Sequence, residues 1–222
     1  MAVLETIESE TGPNPVATII VLHGLGADGN DFVPIAQELD LSEVGNVRFV
    51  FPHAPVIPVT INNGYRMRAW YDILGMDLVK REDEAGLRRS FGEIEDLLER
   101  EEQRGVPAHR TVLAGFSQGC AMALMTGLRH KQRLAGIVGM SGYLPLAPTT
   151  AVERSDANAL TPIFMGHGSQ DNVVLVDRGS ASRDALRALG YDVEWHEYPM
   201  AHSVCMEEVA DLNAWLLKTL RQ

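Results

Sequence analysis

Gly115-Phe116-Ser117-Gln118-Gly119 follows the apolar run Thr111-Val112-Leu113-Ala114 and leads into Cys120-Ala121-Met122-Ala123-Leu124-Met125. Apolar and β-branched residues give way at the serine to residues that favour helix, so the segment predicts a strand, a sharp corner and a helix. The glycines two residues either side of Ser117 carry no Cβ. The two elements can therefore approach closely while the serine Oγ stands exposed at the strand's C-terminal end. A bracketed serine is weak on its own. The strand before it and the helix after it make it a candidate nucleophile elbow rather than a glycine-rich connection with a capping serine.

The rest of the chain has the makeup to carry such a corner. Its 222 residues suit one domain over 1–222, able to bury ~70% of the unfolded surface and to cover a central sheet on both faces, with no length left for a large lid. The 30 acidic and 19 basic residues leave a formal charge of −11, which repels phosphate backbones, so nucleic acid is not an expected partner. Met1-Ala2-Val3-Leu4-Glu5 has no basic region followed by an apolar core, and no run is long enough to span a bilayer. A cytoplasmic location without stable membrane insertion is expected. Cys120 and Cys205 have no metal-ligand spacing and read as packed free thiols rather than a disulfide or a metal site.

Along the chain, short β-branched runs alternate with amphipathic segments, which predicts an α/β fold with a mostly parallel central sheet. Val16–Leu22 is apolar throughout, as a strand covered on both faces should be, and it ends in His23-Gly24-Leu25-Gly26. A helix is expected near Asp31, with Phe32, Ile35, Ala36 and Leu39 on one stripe, followed by a strand at Val47–Phe51. Asn62-Asn63-Gly64 predicts a hairpin turn between Val59–Ile61 and Tyr65–Met67. Leu87–Arg104 has helical spacing of its apolar residues. Strands are expected at Leu134–Met140 and Pro162–Gly166, joined through a loop containing Pro145 and Pro148. Val176–Leu189 predicts a helix, Val193–Tyr198 the last strand and Met206–Leu220 the closing helix, while Ala2–Ile7 reads as an edge strand.

A serine hydroxyl is a poor nucleophile at neutral pH. It needs a base to take its proton and a carboxylate to hold that base in the right tautomer. Where a serine sits on such a corner, acid and base follow it in that order, each on a loop after a strand. Asp171 follows the strand at 162–166 through His167-Gly168-Ser169-Gln170 and is the expected acid; Asp177, at the start of a helix, reads as a capping residue. His202 lies in Pro199-Met200-Ala201-His202-Ser203, between the last strand and the closing helix, and is the expected base. His196 falls within a strand and reads as structural, His23 is expected to brace the loop beside it and His167 to do similar local work, while His53, His109 and His130 are assigned to loops or surface.

The reaction also needs backbone N–H donors aimed at the developing oxyanion. Gln118 supplies one at the N-terminus of the elbow helix, and Leu25, between Gly24 and Gly26, is the expected second. Gly24-x-Gly26-x-x-Gly29 also matches a dinucleotide fingerprint superficially. No acidic residue stands at the end of the second strand, where a ribose would be held.

Four blocks together carry a resemblance: His23–Gly29, Gly115–Gly119, Gly166–Asp171 and Ala201-His202. With Arg68-Ala69-Trp70-Tyr71-Asp72 they resemble the acyl-protein thioesterase/carboxylesterase family, and in particular its small bacterial carboxylesterases. The resemblance runs through nearly the whole chain. It implies a lidless, single-domain α/β-hydrolase fold with Ser117 as nucleophile, Asp171 as orienting acid, His202 as base, and Leu25 and Gln118 as oxyanion donors. It also implies that Trp70, Ile73 and Leu74 border the acyl pocket, and it admits a homodimer. The expected activity is hydrolysis of a small ester or acyl thioester with no metal or organic cofactor. The same residues would serve a lysophospholipase, an acyl-protein thioesterase or an acyltransferase, because pocket shape selects the substrate and acceptor.

Overall fold

The computed structural model describes residues 4–75 and 81–221; Ala2 and Val3 of the expected edge strand lie outside them. Seven strands form the main sheet: β1 (Thr6–Glu10), β2 (Ala17–Leu22), β3 (Val47–Pro52), β6 (Thr111–Phe116), β7 (Gly136–Met140), β8 (Ile163–Gly168) and β9 (Val193–Tyr198). Between β3 and β6 a separate two-stranded ribbon pairs β4 (Val56–Val59) with β5 (Tyr65–Arg68). The spatial order is β1-β3-β2-β6-β7-β8-β9, with β1 antiparallel to β3 and every other pairing parallel. The fold is an α/β-hydrolase fold, as the sequence led us to expect.

Alternation along the buried strands divides the core into two layers. Ile20 and Leu22 of β2 face α2 (Glu84–Gln103) and α3 (Gln118–Arg129), where Leu87, Ile94, Leu97 and Leu124 are buried. Ile19 and Val21 face the opposite layer with α1 (Val33–Gln37) and α6 (Met206–Leu220), including Leu212, Trp215 and Leu216. The helix α5 (Val176–Ala188) packs against β8 and β9 through Leu186 on the α2/α3 side.

The differences from expectation have local causes. The stretch read as a proline loop holds α4 (Ala147–Glu153), whose Pro148 sits in its first turn, where no intrahelical N–H bond is lost. The hairpin strand expected at Val59–Ile61 instead runs from Val56 to Val59, and Thr60–Asn62 form a short helical turn. Pro58 is tolerated in that two-stranded ribbon, and Asn63 (φ 54°) and Gly64 (φ 75°) make the left-handed turn. His130 is buried rather than superficial, with Nδ1 at 2.8 Å from Glu95 Oε1.

Two buried acids differ in their support. Glu101 in α2 is wholly buried and paired with Arg48 (2.9 Å), Arg100 (3.2 Å) and Arg104 (2.7 Å). Glu208, in the first turn of α6, is equally buried, yet neither carboxylate oxygen has a hydrogen-bond partner among the described residues. Burial, and then the charge of Asp211, push its pKa from 4.5 up to about 8. The folded chain thus keeps a proton that the unfolded chain releases. Stability is favoured at low pH and falls as pH rises from the unfolded value to about 8, where the penalty levels off. Glu208→Gln should therefore raise Tm relative to the parent at pH 9 and lose that advantage near pH 5. Thermal melts across pH check this, and a difference independent of pH would contradict it.

Candidate active site

The sheet order reverses between β2 and β6: the chain leaves β2 toward one edge and, from β6 on, builds toward the other. The crevice at the carboxyl ends of two such strands is where open α/β sheets bind ligands. Here Leu22 pairs with Gly115, so the loop Gly24–Gly26 and the elbow at Ser117 leave the sheet side by side. A Cβ added to Gly24 would stand 3.4 Å from Ser117 Cβ.

Ser117 turns the corner with φ 55° and ψ −116°, a left-handed conformation that costs a residue with a Cβ about 1–3 kcal/mol. Its N–H donates to Met140 O at 2.9 Å, which ties the corner to the end of β7. The flanking glycines answer a different need. A Cβ on Gly115 would collide with the Gly119 carbonyl, and one on Gly119 with the carbonyl of Leu22.

Beyond the ends of β8 and β9 the acid and base loops are stitched together: Ser169 N–H donates to Tyr198 O (2.8 Å) and Gln170 N–H to Met200 O (3.0 Å). This places Asp171 Oδ2 2.7 Å from His202 Nδ1, and His202 Nε2 3.0 Å from Ser117 Oγ. Asp171 Oδ1 accepts the amides of Val173 (2.8 Å) and Val174 (2.9 Å), which fixes the carboxylate. With Nδ1–H donating to Asp171, the unprotonated Nε2 faces the serine hydroxyl. Phe116 packs against the imidazole, ring centroids 4.8 Å apart. The competing Asp177 is exposed in the first turn of α5, and His196 lies in β9 beside Glu194 and Asp211.

Leu25 and Gln118 both open onto the same cavity as Ser117 and His202. Among the described residues neither backbone amide has a protein acceptor, whereas the next amide, Gly26 N–H, donates to Arg68 O at 2.9 Å. Gln118 is the first residue of α3, where unpaired N–H groups and the helix dipole favour negative charge.

The cavity has a volume of about 530 Å³ and is walled mainly by apolar side chains, among them Leu25, Ile61, Ile73, Phe116 and Val174. Of the three expected pocket residues only Ile73 lines it. Trp70 is fully buried behind the wall and Leu74 is exposed elsewhere, because successive residues of an extended segment face opposite ways. Tyr71 and Tyr143 line the cavity instead, with their hydroxyls 2.9 Å apart. Burial raises both pKa values, that of Tyr143 to about 12, so both phenols are neutral. One phenol donates its proton to the other in that bond, and among the described residues the pair has no other partner, so the accepting phenol's own O–H is left as one donor for a bound molecule. The sequence signal for Tyr143 was its place just beyond a parallel strand's C-terminal end.

Among the described residues no three His, Cys, Asp or Glu side chains are grouped to hold a metal, and no helix is long and apolar enough to cross a membrane.

A mostly parallel sheet of this order, with a serine on its elbow, is the architecture of the serine hydrolases of the α/β-hydrolase fold. The match to the phospholipase/carboxylesterase family covers residues 4–220, and the chain belongs to that family. It is 40% identical over 211 residues to an acyl-protein thioesterase 1 of Yarrowia lipolytica, spanning 93% of each chain. It is 42% identical over 213 residues to one of Neurospora crassa, spanning 92% of this chain and 87% of the relative. Among solved structures it resembles SOBER1 of Arabidopsis thaliana, with a TM-score of 0.86, 30% identity and 92% and 99% of the two chains covered. Acyl-protein thioesterase 2 of Zea mays gives 0.83 at 29% identity, with 96% and 99% covered. The chain is a carboxylesterase/thioesterase-type serine hydrolase.

The strain at the elbow gives a sign test. Alanine ordinarily outperforms glycine in stability, since glycine has more backbone freedom to lose. At position 117 the order should invert: Ser117→Gly melts above Ser117→Ala, by about 2–4 °C for each kcal/mol of strain relieved. An alanine variant melting higher would contradict a strained corner.

Proposed function

We propose that the chain hydrolyses acyl esters and thioesters by double displacement at Ser117, with His202 as base and Asp171 as its orienting carboxylate. The observation that carries this reading is the hydrogen-bonded series from Ser117 Oγ through His202 to Asp171, at 3.0 and 2.7 Å, beside two amides with no acceptor among the described residues. His202 Nε2 takes the serine proton as Oγ attacks the acyl carbonyl, and the carbonyl oxygen becomes an oxyanion held by the amides of Leu25 and Gln118. Collapse breaks the bond to the leaving alcohol or thiol, which departs with the proton from the imidazolium. An acyl group is then esterified to Ser117. Water attacks it with His202 again as base, and the second collapse releases the carboxylic acid and restores the serine proton.

Asp171 supports the step by stabilising the imidazolium while keeping Nε2 aimed at the serine, not by taking a proton itself. At about 530 Å³ the cavity falls within the ~300–1,000 Å³ typical of sites that enclose a whole small-molecule ligand, enough for a long acyl chain or for a shorter chain and its leaving group. Relatives named acyl-protein thioesterase favour a thioester among the natural substrates. A homodimer and a cytoplasmic location fit the reading without being required by it.

Ser117→Ala should abolish turnover of a p-nitrophenyl ester, a loss of at least about a thousandfold in kcat, while the far-UV circular dichroism stays unchanged. Undiminished activity would remove the central assignment. For the substrate, kcat/KM across p-nitrophenyl esters of two to sixteen carbons, with a matched acyl thioester, should hold or rise with chain length. A collapse beyond four carbons would contradict a cavity that admits a long acyl chain and leave a short-chain esterase.

A further inference from the structure

Leu25 and Gln118, the two amides assigned to the oxyanion, belong to separate elements: a loop after β2 and the first turn of α3. No covalent constraint sets the distance between them. We propose that the side chains of Trp70 and Gln118, acting on the backbone through His23, are positioning residues that hold these two donors at a fixed spacing. The inference rests on the triad reading above and deepens it.

The link can be followed atom by atom. The indole Nε1–H of Trp70 donates to His23 O at 2.9 Å. The Trp70 backbone N–H donates to Gln118 Oε1 at 3.0 Å, and Gln118 Nε2 donates to Tyr71 O at 2.8 Å. The carboxamide of Gln118 thus clamps the backbone of residues 70 and 71 from both sides, while the indole of the same segment grips the chain just before the oxyanion loop. Arg68 O holds the loop's other end through Gly26 N–H at 2.9 Å, and Ser90 Oγ–H fastens Trp70 O to α2. Trp70 is 0% exposed and Gln118 4%, so these bonds are made out of water, where the loss of one partner leaves the other unsatisfied.

His23 converts the grip into a direction. Its Nδ1 lies 2.7 Å from Gly24 O and its Nε2 3.1 Å from the Ala54 amide nitrogen. An amide can only donate, so Nε2 accepts and Nδ1–H donates to Gly24 O. Burial pushes the pKa of His23 down, in keeping with a neutral ring. In the planar trans peptide between Gly24 and Leu25 the C=O and N–H point in opposite directions. Drawing the Gly24 carbonyl onto the imidazole therefore turns the Leu25 N–H away from the His23 ring.

A consequence separates this proposal from plain packing. Any residue but proline at position 118 supplies a backbone N–H, so if only that donor mattered, Gln118→Met would leave the chemistry intact. The clamp requires the carboxamide itself. Removing an oxyanion donor outright costs 10²–10³ in kcat, and displacing one should cost less.

The test compares the parent with Trp70→Phe, Gln118→Met and Ser117→Ala, using a p-nitrophenyl ester and a trifluoromethyl ketone that adds to the serine to form an oxyanion. Trp70→Phe and Gln118→Met should each lower kcat about 10- to 100-fold with KM within about threefold of the parent. Their affinity for the ketone should weaken in proportion to the loss in kcat/KM. Folded variants, judged by thermal melts, with kcat within twofold of the parent would overturn the proposal, as would a change confined to KM or Tm. If Trp70→Phe does not fold, replacing Trp70 with 3-benzothienylalanine removes the N–H alone and gives the same reading. Turnover by Ser117→Ala would instead sink the underlying triad assignment; an inactive Ser117→Ala beside fully active Trp70 and Gln118 variants would sink only the positioning role.

Discussion

The first turn of α3 lies against the end of β2 so tightly that the carbonyl of Leu22 occupies the place where a Cβ on residue 119 would stand. That close approach sets the geometry of the site. It brings the helix N-terminus beside the loop leaving β2, so that Gln118 and Leu25 meet over one cavity. It also leaves the single residue between Phe116 and Gln118 to absorb the change of direction, which is why the strain falls on Ser117 and not on a glycine. The glycines of the elbow are needed for contact, while the serine accepts the torsion. Strain of this kind persists only where neighbouring structure over-determines it, and here the bond from Ser117 N–H to Met140 O and the buried length of α3 do so.

The topology then supplies the partners. Parallel strands deliver successive loops to the same edge of the sheet, so the residues after β2, β6, β7, β8 and β9 converge although they are far apart in sequence. The loops after β8 and β9 are further joined by backbone bonds from Ser169 and Gln170, which bring Asp171 under His202. Burial sets the protonation around them: His23 and His167 are both shifted toward neutrality by desolvation, and the tyrosine pair is held protonated.

Much of this was legible in the sequence, for reasons that can be named. Strands covered on both faces must be apolar throughout, so Val16–Leu22 and Leu134–Met140 announced themselves, and the bounds expected for Val193–Tyr198 and Met206–Leu220 are those observed. Ser117, Asp171 and His202 could be picked out because chain order and loop position narrow the choice, and the structure brings all three within hydrogen-bonding distance. Less visible was anything that depends on which way a side chain points. Trp70 sits next to the wall residue Tyr71, yet an extended segment turns it inward to the backbone of His23, so a motif that named the right segment named the wrong side chain for the pocket. Helix α4 was hidden because Pro148 reads as a breaker until its place in the first turn is known. The carboxamide of Gln118 was likewise hidden behind the role of its own amide.

The proposed chemistry turns on Ser117 Oγ being the atom that takes the acyl group. A fluorophosphonate ester, which phosphonylates an activated serine, followed by peptide mass spectrometry measures this directly. The prediction is one label per chain, on Ser117, with the labelling rate lowered at least about a hundredfold in His202→Ala. Labelling at another residue, no labelling, or an undiminished rate in the His202 variant would contradict it.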